Sequence, residues 1–96
     1  MPAELCGMLL EPGVVLVDVR EPAEYAAEHI EGAVLYPLSG FDPARLPAGR
    51  LVFQCGSGKR SLVALQRALA AGAQHAAHLA GGLLAWKRAG LPTVQG

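Results

Sequence analysis

The sequence predicts an α/β domain, a small parallel β-sheet flanked by helices on both faces. Three observations carry that prediction. Val14 to Val17 is an unbroken β-branched apolar run, typical of a strand covered on both faces, and Leu51 to Phe53 is a second unbroken apolar run. Segments with helical start and stop residues separate the strand candidates. The connections are short, and strands that alternate with helices at such spacing pair in parallel through right-handed crossovers.

Taken in order, Ala3 to Leu10 reads as a short helix, and Val14 to Val17 as a strand that ends at Asp18. Pro22 suits the first turn of a helix running to about His29, with Glu21 and Glu24 near its positive end. Gly32 closes that helix or the turn after it, and Ala33 to Tyr36 forms a short strand stopped by Pro37. Ser39 to Gly49 holds Gly40, Pro43, Pro47 and Gly49 and is loop with one helical turn. Leu51 to Phe53 is the second buried strand and delivers the chain to Cys55. Ser61 caps a helix from Leu62 to Ala71, with Leu62, Leu65 and Leu69 at helical spacing and Gly72 beyond its end. Ala76 to Leu79 is a weak strand, and Gly81-Gly82 turns the chain into a last helix, Leu83 to Ala89, stopped by Gly90 and Pro92.

A chain of 96 residues is one domain, 1–96, with its core at about 14–93. Apolar residues make up 52%, enough for a buried core, and with aromatics at 5% that core is aliphatic. Eight basic and eight acidic residues cancel, which excludes a nucleic-acid binder acting through bulk positive charge and a polybasic membrane adaptor. Two cysteines, Cys6 and Cys55, are too few for a secreted disulfide framework and fit a reducing compartment. The first residues lack the basic start of a secretory signal. The Ala/Leu-rich stretch from Leu62 to Trp86 is broken by Gln66, Arg67, Gln74, His75 and His78, so it is no membrane span. Read as a complete chain, the protein is cytoplasmic.

Chemistry concentrates in Cys55-Gly56-Ser57-Gly58-Lys59-Arg60-Ser61. A cysteine at a strand end is followed by a glycine-rich loop and a helix start. Glycines let successive backbone N–H groups turn inward as an anion-binding nest, and the helix N-terminus adds its partial positive charge. Lys59 and Arg60 add full charges. All three effects favour thiolate at Cys55, lowering its pKa from about 8.5 toward or below neutrality. Most free cysteines are inert core residues, but one that abuts Gly-x-Gly-Lys-Arg at a strand end does not fit that reading. The small side chains of Gly56, Ser57 and Gly58 predict an open, shallow mouth with the sulfur accessible to solvent. Ligands of open α/β sheets sit beyond the carboxyl ends of the strands, where both Asp18 and Cys55 fall.

DVREPAEYAAEHIEGAVLYPL, CGSGKRS and GGLLAWKRAGLPT, taken in that order, resemble the rhodanese (sulfurtransferase) family over about Val14 to Thr93. The resemblance implies a rhodanese-like fold and sulfur transfer through a persulfide on Cys55. A small anionic sulfur donor such as thiosulfate would supply the sulfur, and a thiol, cyanide-type or protein acceptor would receive it. No metal, flavin or nucleotide is needed. It implies that Gly56 to Ser61 cradle the anion, that Lys59 attracts the donor, and that Asp18 partners loop N–H groups or Arg60. Cysteine phosphatases use a Cys-to-Arg cradle one residue longer than the four residues between Cys55 and Arg60, and the smaller ring suits sulfur. The alternatives are a rhodanese-like module that binds without turnover, and a phosphatase-like activity.

Arg60 either faces the anion or turns inward onto a carboxylate. Arg20 and Glu21 form surface or helix-start ion pairs. His29 is a packed, hydrogen-bonded structural residue. His75 and His78, three apart on a strand, face opposite sides and share no metal. Trp86 packs in the core, and Cys6 is passive.

Overall fold

The computed structural model describes residues 13–96; the expected helix Ala3 to Leu10 and Cys6 lie outside them. Four strands, β1 (Val14–Asp18), β2 (Val34–Leu35), β3 (Arg50–Gln54) and β4 (Ala76–His78), form one parallel sheet in the order β2-β1-β3-β4. Three helices, α1 (Pro22–Ala27), α2 (Lys59–Ala70) and α3 (Gly82–Arg88), provide the crossovers and the last element. The chain leaves β1 toward one edge and returns at β3 on the other side, so the strand order reverses between β1 and β3. Val14 to Asp18 pair in register with Arg50 to Gln54, which puts Asp18 opposite Gln54 at the carboxyl ends.

Alternation along the strands divides the core into two layers, as a sheet covered on both faces requires. Leu16 and Val52 face Ile30, Ala33, Leu79, Leu83 and Trp86, with Tyr25 of α1 packed against them. Val17, Leu51, Phe53 and Cys55 face Ala64 and Ala68 of α2, with Phe41 and Leu46 packed alongside.

Several element ends differ from the sequence expectation. α1 stops at Ala27, two residues short of His29, because Glu28 turns extended. His29 instead bridges Val94 through paired main-chain hydrogen bonds of 2.8 Å. Its ring stacks on Tyr25 at 3.8 Å and its Nδ1 lies 2.8 Å from the Tyr25 carbonyl oxygen, the structural role expected of it. The loop after β2 holds two short 3₁₀ turns, Leu38–Gly40 and Pro43–Arg45, rather than one helical turn.

α2 starts at Lys59, so Ser61 lies inside its first turn and is not the cap; Gly58 takes that place with φ +101°. The buried face of α2 is Ser61, Ala64 and Ala68, whereas Leu62 and Leu69 are exposed. Ala64 and Ala68 pack in the layer of Val17 and Phe53, and Leu65 lies half-buried against it, so the stripe is centred on the alanines. Trp86 is buried and donates its indole N–H to the Pro92 carbonyl oxygen at 2.8 Å.

Candidate functional site

Cys55 is the first residue beyond β3, at the point where the strand order reverses. From there the chain turns through Gly56 and Ser57 and enters α2. The turn wraps the sulfur: the Gly58 N–H donates to Cys55 Sγ at 3.1 Å and the Ser61 N–H at 3.3 Å. The Ser61 hydroxyl oxygen lies 3.6 Å from the same sulfur. Amides can point inward only if the carbonyls of the loop point elsewhere and find donors there. α3 supplies them. Leu83 N–H donates to the Cys55 carbonyl oxygen at 2.7 Å, and Leu84 N–H to that of Gly56 at 3.0 Å. The buried Gln54 side chain adds an amide N–H to the Cys55 carbonyl at 2.7 Å.

Two glycines make this docking possible. Gly82 has φ +59°, and a Cβ there would overlap the Cys55 carbonyl oxygen and lie 2.7 Å from Gly56 backbone atoms. At Gly58 a Cβ would sit 2.9 Å from the Gly81 nitrogen. The Gly-Gly turn thus lets one helix N-terminus reach the carbonyl side of the loop while a second helix begins on its amide side.

Two opposed effects set the ionisation of Cys55. Burial pushes the thiol pKa up. The Ser61 N–H, the Ser61 hydroxyl and the N–H groups of Gly58 and Ser57 outweigh it, so the net shift is below the ordinary thiol value. The expected open mouth is not what the structure shows. Cys55 has 0% exposure and joins the layer of Val17, Phe53 and Ala64. Small side chains leave room for the loop backbone to close over the sulfur, so the feature read as openness produces a tight cover. Solvent reaches Ser57 and Lys59, and Gly56 only in part.

The structure separates the remaining residues expected at the site. Lys59 is exposed at the start of α2, with no ion-pair partner among the described residues. Arg60 turns onto a carboxylate, donating to Glu24 at 2.7 and 3.0 Å, while its guanidinium stays beside Gly56. That pairing holds Glu24 at a pKa of about 2. Asp18 and Arg20 correct the sequence reading. Asp18 partners neither the loop amides nor Arg60, and Arg20 is no surface residue. Both are buried and joined by Nε–H and Nη2–H donors at 2.8–3.2 Å, and Arg20 also donates to the Glu28 carbonyl oxygen. β1 ends at Asp18, and two residues later the chain carries the guanidinium back over that carboxylate. The pair therefore ties the end of β1 to the end of α1 and does not touch the sulfur.

Three contributors escaped the sequence reading. His78 closes β4, and its Nδ1 lies 3.1 Å from Ser61 Oγ. The spacing of His75 and His78 speaks only to metal binding, whereas the structure places His78 at the end of a strand beside the one that leads to Cys55. Glu24 holds Arg60, and the Leu83 and Leu84 amides hold the loop carbonyls. Beside the loop lies a groove of ≈ 570 Å³ lined by Glu21, Leu38, Ser39, Phe41, Arg60, Val63 and Arg67.

The rhodanese-like domain model matches residues 1–89. The Synechocystis sp. protein slr1261 is 47% identical, over 98% of this chain and 54% of its own length. A sulfurtransferase of Allochromatium vinosum is 39% identical, over 84% of this chain and 78% of its own. The crystal structure of a thiosulfate sulfurtransferase from Pseudomonas aeruginosa superposes with a TM-score of 0.87 at 36% identity, covering 99% of this chain and 19% of that one. The chain thus spans about half of the Synechocystis relative and a fifth of the Pseudomonas protein. A doubly covered parallel sheet, a cysteine at its switch point and this extent of likeness lead to one conclusion: the chain belongs to the rhodanese-like domain family.

Proposed function

We propose that this chain is one rhodanese domain that transfers sulfane sulfur through a persulfide on Cys55. One observation carries the reading: Cys55 Sγ accepts two main-chain N–H groups and faces a hydroxyl, which favours thiolate in spite of burial. The thiolate attacks the outer sulfur of thiosulfate or of a persulfide donor. A new S–S bond forms on Cys55, the donor's S–S bond breaks, and sulfite or a thiolate leaves with the electron pair. The acceptor, a thiol, cyanide or a protein nucleophile, then attacks the outer sulfur and Cys55 leaves as thiolate, so no outside oxidant or reductant enters. The amides at Gly58 and Ser61 hold the anion in both states, with Gly56 and Ser57 as the hinge of the cradle.

Lys59 is the charge that draws an anionic donor, since Arg60 is engaged by Glu24. The adjoining groove carries charges of both signs, Arg67 and the Glu24-bound Arg60 with Glu21 among its lining residues. Because Cys55 is covered, loading requires the Gly56–Gly58 backbone to part. A thiol that must stay reduced to be loaded belongs in a reducing compartment such as the cytoplasm. Among the described residues no helix is long and apolar enough to cross a membrane.

Intact-mass measurement after incubation with thiosulfate tests the reading. The expected result is a gain of one sulfur atom on Cys55, released by cyanide as thiocyanate and absent in Cys55→Ser. No gain with thiosulfate or with organic persulfides would leave a binding module. Aryl-phosphate hydrolysis that disappears in Cys55→Ser would point to phosphatase-like chemistry.

A further inference from the structure

Ser61 is fully buried, so its hydroxyl must satisfy itself within the protein. Its oxygen lies 3.6 Å from Cys55 Sγ, 3.2 Å from the Gly58 carbonyl oxygen and 3.1 Å from His78 Nδ1. A hydroxyl donates one proton and accepts through its lone pairs. The Gly58 carbonyl and a Cys55 thiolate can only accept. His78 is the one neighbour of the three able to donate, through Nδ1–H. When it does, it ceases to compete for the Ser61 proton and polarises the O–H toward its acceptors. With a bare Nδ1 the imidazole competes for that proton instead.

We propose that His78 is a positioning residue for Cys55: its Nδ1–H, accepted by Ser61 Oγ, leaves the single Ser61 proton to be shared between the Gly58 carbonyl oxygen at 3.2 Å and the thiolate at 3.6 Å, in a chain from His78 through Ser61 to Cys55. The topology explains why the three meet. His78 pairs in register with Phe53, two residues before Cys55, and the Leu79 N–H continues the ladder onto the Phe53 carbonyl oxygen at 2.9 Å. Ser61 comes from the first turn of α2, which packs across β3 and β4. The inference rests on Cys55 as the reacting thiol of the proposed function and does not depend on which donor it takes. Among the described residues the other charges around these three side chains are Lys59, exposed on the turn between Gly58 and Ser61, Arg60, held by Glu24 while it interacts with the Cys55 thiolate, and the Asp18–Arg20 pair at the end of β1. Substitution at position 78 leaves those groups in place.

The test is the rate of Cys55 alkylation by iodoacetamide as a function of pH, with sulfur loading measured in parallel. His78→Leu, which removes both ring nitrogens, is expected to raise the pH midpoint by about half to one unit. His78→Asn keeps an N–H donor and is expected to return most of that shift. Ser61→Ala is expected to raise the midpoint too, and adding His78→Leu to it should change nothing further. A His78→Leu profile that superimposes on wild type overturns the proposal, as does additivity with Ser61→Ala, or a shift that tracks lost melting temperature and is not returned by His78→Asn. Alkylation needs no sulfur donor. A His78-dependent midpoint without sulfur loading would keep this inference and sink the proposed function, whereas loading with an unchanged midpoint would do the reverse.

Discussion

At the scale of single residues, the site works through a competition at Cys55. Taking the sulfur out of water opposes ionisation, and oriented amides and a hydroxyl over-compensate. Full side-chain charges contribute less than the sequence suggests, because Arg60 is tied to Glu24. That pair makes a pH-dependent prediction. The Glu24 carboxyl lies at about 2 in the folded chain against an ordinary value of 4.5. A depressed carboxylate stabilises the fold above its unfolded pKa and loses that contribution as pH falls through the folded one. Wild type should therefore melt slightly higher than Glu24→Gln above pH 4.5, with the difference fading as pH drops toward 2. Both side chains are about 40% exposed, so the effect stays below about 1 kcal/mol. A melting series from neutral to acid pH would show it, and two parallel curves would contradict the assignment.

At the scale of elements, the loop is held between two helix N-termini, α2 giving amides to the sulfur and α3 giving amides to the loop carbonyls. The second contact depends on Gly82, whose methyl-free backbone lies against Cys55 and Gly56. Gly82→Ala should lose roughly 2 kcal/mol or more of stability, from left-handed strain and the displaced loop together. It should also raise the alkylation midpoint of Cys55, because loop carbonyls that lose their donors no longer hold the amides inward. Urea unfolding and the pH–alkylation profile measure the two effects. Unchanged stability with normal thiol reactivity would mean that α3 does not brace the loop. Leu62, Leu65 and Leu69 have helical spacing, but only Leu65 packs, half-buried, against the core; Leu62 and Leu69 face solvent and the buried face is Ser61, Ala64 and Ala68.

At the scale of the whole molecule, β1 and β3 define the crevice, and the buried Asp18–Arg20 pair fastens β1 to the end of α1. Asp18→Asn would leave the Arg20 guanidinium buried and under-compensated, a loss of about 3–5 kcal/mol and a large share of the stability of so small a domain. Denaturant titration should place its midpoint well below that of wild type, and an unchanged midpoint would show that the pair is dispensable. The strands, their parallel pairing and the cysteine at a strand end were legible in the sequence because apolar runs, glycines and prolines act within a few residues of chain. So was the turning of the loop amides toward the Cys55 sulfur, which is a local property of glycine-rich backbone entering a helix. What the sequence by itself could not decide was which distant groups meet there. Whether Arg60 finds Glu24, whether Asp18 takes Arg20, whether His78 reaches Ser61 and whether the sulfur is covered all depend on how strands and helices stack. Only the tertiary structure decides them, because a side chain chooses its partner by through-space distance, and packing sets that distance after the local rules have been spent.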